Sequence, residues 1–267
     1  MNAAAVVAYQ GEAGAFSDDA ARTLVSGAQT QGHPTFDDAF AAVERGDADF
    51  ALLPVENSIS GSVPRVYDLL WADERITIVD EIVYRVVQNV IGIAGATLES
   101  LREIRSHPVA LEQCRRFLRA HPQLHVAVVA DTAGAVREIA ALRDPAVGAI
   151  AGSLAAERYG AQILVANVQD VDDNFTRFFL LQRDATARDG GTRACVALSL
   201  ANRPGSLRSA LGAFANEGLD LRTLVSRPSL ERPFTYRFYC EIAPVERAAL
   251  ERALAGVEGD TRVLGFY

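Results

Sequence analysis

One unit recurs along the first 160 residues: a short apolar run, a turn carrying Gly, Ser, Thr or Asn, and then a stretch with helical spacing. Val6 to Gln10 reads as a buried strand, followed by Gly11-Glu12-Ala13-Gly14-Ala15-Phe16-Ser17 and a helix through Val25 with Ser17 as its N-cap. Asp37 to Arg45 reads as an amphipathic helix. Phe50 to Val55 is an apolar strand running into Pro54-Val55-Glu56-Asn57-Ser58, with Ser60, Gly61 and Ser62 beyond and a helix from Pro64 to Trp71. Ile104-Arg105 leads to Ser106-His107-Pro108 and a helix to Arg119, and Val126 to Ala130 leads to Asp131-Thr132-Ala133 and a helix to Leu142. Val147 to Ala151 leads to Gly152-Ser153 and a helix to Tyr159. Alternating strands and helices dictate an α/β fold, and open α/β sheets place ligands beyond the carboxyl ends of their strands. Any one of these turns is explained by helix capping alone; several aimed at one cleft imply a site. The first glycine-bearing turn reads equally as an anion-binding helix start or as a tight connection.

A β-branched run from Ile76 to Val90, broken by Asp80, Glu81, Arg85 and Gln88, suits an extended segment leaving one lobe for another, and Ile163 to Val168 brings the chain back. The return ends in Asn174-Phe175-Thr176-Arg177-Phe178, between the acidic run Asp170 to Asp173 and an apolar strand. A hydroxyl and a guanidinium at the mouth of a buried strand need polar partners, which an anionic ligand would supply. Backbone capping by Thr176 and pairing of Arg177 with the acidic run would supply them too.

A chain of 267 residues with 49% hydrophobic and 22% charged side chains has ample length for a core and no low-complexity block. Its net charge of -8, with no Lys/Arg cluster, excludes a phosphate-neutralising nucleic-acid face. Cys114, Cys195 and Cys240 are far apart and expected to stay reduced, Cys114 as a small core residue. His33, His107 and His121 precede proline, and His121 and His125 straddle Pro122, so no metal-ligand pattern is visible and His107 reads as a turn residue rather than a general base. No signal peptide and no apolar span of membrane length are seen, and a cytoplasmic location is expected.

The period changes beyond the polar stretch with Gly190-Gly191. Strands over Ala194 to Leu200, Leu219 to Val225, Tyr236 to Ile242 and Arg262 to Tyr267 alternate with helices from Asn202-Arg203-Pro204-Gly205-Ser206-Leu207 to Asn216 and from Val245 to Leu254. This is the βαββαβ order of a ferredoxin-like module.

These motifs in this order resemble the prephenate dehydratases that carry a C-terminal ACT regulatory domain, over essentially the whole chain. The resemblance rests on the GEAGAFS turn, Pro54 to Ser58, Ser106-His107-Pro108 with Leu111 and Gln113, Asp131-Thr132-Ala133, Asn174 with Thr176-Arg177-Phe178, Asn202 to Leu207 and Ser226-Arg227-Pro228. It implies a two-lobed, periplasmic-binding-protein-like α/β catalytic domain with an interlobe cleft over 1–185, lobe 1 at about 1–80 and 168–185 and lobe 2 at about 81–167. A linker over 186–192 and a ferredoxin-like ACT domain over 193–267 follow. The family converts prephenate to phenylpyruvate with loss of carbon dioxide and water, without metal or organic cofactor. By motif position, Thr176, Asn57, Gln113, Ser106 and Glu56 are the expected catalytic residues. Thr176 would donate to the departing hydroxyl, Asn57 and Gln113 would orient the ring and its hydroxyl, and Ser106 would serve a carboxylate. Substrate binding falls to Arg177, Phe178, Ala13, Gly14, Ala15, Phe16, Ser58, Thr132 and Ala133, with Arg177 holding a carboxylate or the shape of the cleft. Phenylalanine would bind as an effector at Asn202, Pro204, Gly205, Ser206, Leu207, Ser226, Arg227 and Pro228, between paired subunits of a homodimer or homotetramer. Three positions depart from the pattern: Val225 for a common Glu, Ala13 for Pro, and Val109 for Gln. The same residues are compatible with arogenate as substrate, or with a sensor that binds a small anion without turnover.

Overall fold

The computed structural model describes residues 4–185, 190–229 and 233–267. Of the expected linker over 186–192, residues 186–189 lie outside the described residues. The first half of the chain contains β1 (Val6–Gln10), α1 (Phe16–Leu24), β2 (Gln29–His33), α2 (Phe36–Arg45), β3 (Phe50–Asn57), β4 (Gly61–Ser62), α3 (Arg65–Ala72) and β5 (Ile76–Arg85). Then come β6 (Asn89–Gly92), β7 (Glu103–Ser106), α4 (Pro108–Gln113), α5 (Arg115–Ala120), β8 (His125–Val128), α6 (Thr132–Leu142), β9 (Val147–Ala151), α7 (Ser153–Arg158), β10 (Gln162–Val165) and β11 (Phe175–Arg183). The last part contributes β12 (Ala194–Leu200), α8 (Ser206–Asn216), β13 (Leu221–Pro228), β14 (Tyr236–Ile242), α9 (Arg247–Ala255) and β15 (Gly259–Phe266).

The chain divides into two compact units, Met1–Gly61 with Ile82–Phe178, and Ser62–Glu81 with Phe179–Tyr267. The first unit holds two sheets, forming two lobes. In one lobe, β1 pairs in parallel with β2 and β3, and the start of β11 lies beside β3. β1 and β3 are buried on both faces, as Val7, Ala8, Leu52 and Leu53 at 0% exposure show, and this is why they read as unbroken apolar runs. In the other lobe, the order is β10-β6-β9-β7-β8, with α6 and α7 packed on Ala149, Ala151 and Ile91.

Capping explains where the helices start. Thr35 Oγ1 accepts from the Asp38 N–H at 3.1 Å ahead of α2, and Asp131 Oδ1 accepts from the Gly134 N–H at 2.7 Å ahead of α6. Ser17 is not the cap of α1: the helix starts at Phe16 behind Ala15. The acceptor comes instead from Asp18, fully buried, whose Oδ2 takes the Gly14 N–H at 2.8 Å while Oδ1 takes Arg22 Nε at 2.8 Å. The helix expected to run on to Arg119 is broken at Cys114, whose φ of -118° leaves the helical region between α4 and α5.

In the second unit, β13-β14-β12-β15 is an antiparallel sheet, extended by β5 in parallel with β15 at the Gly265–Ile78 pair. Helices α8 and α9 cover one face through Val196, Leu198, Phe214, Cys240 and Leu250. On the other face lies α3. The Tyr67 hydroxyl donates to Glu241 at 2.8 Å, its ring packs on Tyr239 at 5.1 Å, Arg237 lies 4.3 Å over Trp71, and Arg227 pairs with Asp68 at 2.7 Å.

Candidate functional site

The apolar run of β3 ends at Val55, but the strand continues through Glu56 and Asn57 because β11 runs beside it. Ser58 fastens the end: its N–H donates to the Phe175 carbonyl at 2.8 Å, and its hydroxyl accepts the Phe175 N–H at 2.9 Å. Glu56 and Asn57 thereby meet Arg177 and Thr176. Arg177 Nη2 lies 3.0 Å from Glu56 Oε2, with the Arg177 side chain 13% exposed and that of Glu56 43%. Arg177 therefore pairs with Glu56. A half-exposed pair of this kind adds little stability and chiefly holds the guanidinium in place.

Asn57 is the hub of the site. Its Oδ1 accepts the Ile59 and Ser60 N–H groups at 3.0 and 2.9 Å, and its Nδ2 lies 3.1 Å from the Phe175 carbonyl. Those backbone groups fix the direction of the amide. Nδ2 then donates to Thr176 Oγ1 at 3.0 Å and to Asn174 Oδ1 at 2.8 Å. Thr176 Oγ1 acts as an acceptor toward Asn57, which leaves its own proton to be donated elsewhere. The second lobe enters through Gln113 at the end of α4, whose Oε1 accepts from Asn174 Nδ2 at 3.0 Å and from Gln88 Nε2 at 3.3 Å.

Thr176, Asn57, Gln113 and Glu56 with Arg177 are thus drawn to one region. Other expected residues stand apart from these hydrogen bonds. Ser106 is fully buried and its hydroxyl donates to the Ile150 carbonyl at 2.6 Å, so its proton is engaged within the lobe. Phe178, 2% exposed, and Ala133, fully buried, are core residues. The GEAGAFS turn faces the second lobe. Gly11, Glu12 and Ala13 line a cavity of about 540 Å³ with His33 and Asp131, while Ala15 and Phe16 line a smaller one of about 190 Å³ with His107, Asp131 and Thr132. Gly14 lines a third, with Tyr84 and Ser153. His107 is a capping residue, its Nδ1 accepting the Val109 N–H at 3.3 Å. Cys114 is buried, and burial pushes its thiol up to about 12, with Asp170 adding to the shift. Among the described residues no cluster of His, Cys, Asp and Glu could hold a metal ion, and no helix is long and apolar enough to cross a membrane.

In the second unit, Asn202, Ser206 and Leu207 line a small cavity with Tyr236 and Phe238. Gly205, the N-cap of α8, has a φ of 90°, a conformation that glycine adopts without strain. Ser226 is exposed and lies opposite Phe238 in the β13–β14 register. Arg227 is held by Asp68, and Pro228 ends β13. Gln88, which reaches Gln113 at 3.3 Å, is not among the expected site residues, although an amide inside a β-branched run is a legible signal.

Fold and hydrogen bonding together define a class: an α/β protein on two sheets whose strand ends gather amides, a hydroxyl and one ion pair, suited to holding a small polar ligand. A family model described as prephenate dehydratase matches residues 7–186, and the chain belongs to that family. It is 39% identical to arogenate dehydratase 2 of Petunia hybrida over 83% of this chain, spanning 56% of that protein's length. It is 32% identical to prephenate dehydratase of Lactococcus lactis over 98% of this chain and 96% of that one. Among solved structures, a protein described as a novel type of quorum quenching acylase superposes with TM-score 0.88 at 34% identity, covering 97% of this chain and 96% of that one. Prephenate dehydratase of Arthrobacter aurescens in complex with L-Phe does so with TM-score 0.87 at 27% identity, covering 97% and 88%.

Proposed function

We propose that the chain catalyses the decarboxylating dehydration of prephenate: the ring carboxylate leaves as carbon dioxide, the electrons of that bond aromatise the ring, and the ring hydroxyl departs as water on taking a proton. Aromatisation supplies the driving force, so the protein need only place the substrate and stabilise the leaving group. The observation that supports this reading is the donation from Asn57 Nδ2 to Thr176 Oγ1 at 3.0 Å, which makes the hydroxyl an acceptor toward Asn57 and leaves its own proton for a leaving oxygen. A threonine is a weak acid, so Thr176 acts with other donors, Gln113 among them. Arg177, held by Glu56, shapes the cleft floor or meets a carboxylate; Ser58 and Ser106 hold the loops; and the turn from Ala13 to Phe16 with Thr132 closes on the substrate.

The test is phenylpyruvate formation from prephenate by the purified chain and by Thr176→Ala. Activity in the parent and a loss of about 100-fold or more in the variant are expected, the scale of one transition-state donor. Near-parent rates in the variant would overturn the role of Thr176. Arogenate, the substrate named for the petunia relative, is the alternative, and a wide preference for it in the same assay would replace prephenate.

For the regulatory half we propose a ferredoxin-like ACT module, supported by the βαββαβ order and the sheet order β13-β14-β12-β15. Phenylalanine is its proposed effector, at the cavity formed by Asn202, Ser206 and Leu207 with Ser226 nearby, in a cytoplasmic homodimer or homotetramer. The two-lobed first unit is proposed to close over substrate in the manner of periplasmic binding proteins.

A further inference from the structure

We infer that Asn174 is a positioning residue that sets the hydrogen-bonding direction of Gln113, so that the site offers its ligand two donors, the Thr176 hydroxyl and the Gln113 amide nitrogen. The inference deepens the reading above and rests on it for the identity of the ligand. A side-chain amide alone is ambiguous, because its oxygen and nitrogen exchange places by rotation. Here the ambiguity is removed from the backbone outward. Ile59 and Ser60 N–H can only donate and the Phe175 carbonyl can only accept, so reversing Asn57 would create three contacts between like groups. Asn57 therefore shows Nδ2 to Asn174, which must answer with Oδ1, at 2.8 Å. Asn174 then has only Nδ2 for Gln113, and Gln113 must answer with Oε1, at 3.0 Å. Gln88 Nε2 approaches the same oxygen at 3.3 Å, but Gln88 Oε1 is buried without a partner among the described residues, so Gln88 follows the direction of Gln113 and does not set it. With its oxygen used twice, Gln113 keeps Nε2–H for a ligand. Asn174 is 0% exposed and Gln88 2%, so bulk solvent competes with neither contact. The direction set at Asn57 is thus carried through Asn174 into the second lobe, and both ends of the chain of amides finish as donors. Donors on two sides suit a ligand that presents carboxylate and hydroxyl oxygens.

Two measurements test it on the full chain. The first is hydrogen exchange of side-chain amides by ¹⁵N–¹H NMR, with peaks assigned by their loss in Asn174→Asp, Gln113→Glu, Asn57→Asp and Gln88→Glu. The side-chain NH₂ groups of Asn57, Asn174 and Gln88 are expected to exchange slowly and that of Gln113 rapidly. Protection of Gln113 with rapid exchange at Asn174 would mean the opposite direction and overturn the inference. This result needs no turnover, so a parent inactive on prephenate would sink the functional reading and leave the hydrogen-bond direction decided separately.

The second measurement is kcat of Asn174→Asp against pH, corrected for uncatalysed decay. The carboxylate that this substitution introduces has, when ionised, no proton for Gln113, whose amide then rotates and shows the ligand an acceptor. Turnover about 100-fold below the parent is expected at pH 8, the scale of losing one donor. The ratio to the parent should climb toward pH 5.5 as the carboxyl protonates and its O–H replaces the N–H. Asn174→Ala should lose turnover equally at both pH values. A ratio for Asn174→Asp that stays flat with pH would show a packing role only.

Discussion

At His33 the imidazole sits partly buried at the end of β2, and burial pushes its pKa below the usual value; Asp38 pulls the other way, Arg45 adds to the fall, and Asp47 opposes it. A histidine that resists protonation in the folded state binds fewer protons there than in the unfolded chain, whose His titrates at about 6.5. Its contribution is therefore complete above that pH and declines as pH falls below it toward the folded value. The melting temperature is expected to drop less between pH 7 and 5 in His33→Gln than in the parent; an equal drop in both would remove His33 from the acid response. Charge at this scale is otherwise local, as with Arg177. It pairs with Glu56 across the β3–β11 boundary, a contact that only strand pairing makes visible.

At the scale of elements, the turn before α1 and the start of α7 meet. Gly14 has a φ of 89°, and a Cβ placed on it would lie 2.8 Å from the Ala155 Cα. Gly14→Ala is expected to cost about 1–3 kcal/mol from the backbone conformation alone, with further loss from the contact. Urea unfolding measures this, and an unchanged midpoint would refute the close approach. Thr35→Ala removes the cap of α2 and is expected to cost about 1 kcal/mol by the same method. The strands and most helices were legible because buried parallel strands are continuous apolar runs and helices keep their period. The missed features depend on contacts distant in sequence. Asp18 displaces Ser17 because it is buried, β3 extends past Val55 because β11 lies beside it, and Gln88 meets the Gln113 oxygen that Asn174 also reaches. Asn57, Thr176 and Gln113 are candidate site residues through family resemblance, and their convergence and the direction of their hydrogen bonds required coordinates.

At the scale of the whole molecule, the regulatory proposal predicts that phenylalanine slows turnover of prephenate and that Ser226→Ala relieves the slowing, measured as inhibition at fixed substrate. Undiminished inhibition in the variant would remove Ser226 from the effector site. Arg227 is a poorer probe, because its loss would strand Asp68, which is only 13% exposed. The alternation of strands and helices announced both folds in the chain, but the membership of residues 62–81 was hidden, since their helical and strand patterns are those of any α/β segment. In the structure, α3 and the start of β5 belong with the C-terminal sheet, through Tyr67 on Glu241 and Tyr239 and through Thr77 on the Leu264 carbonyl at 2.7 Å. A gene cut at the glycine pair would consequently leave a helix without its sheet on one side of the break and a sheet stripped of Tyr67 and Trp71 on the other. Any chimaera that trades the C-terminal portion for a relative's must therefore transplant this early segment along with it.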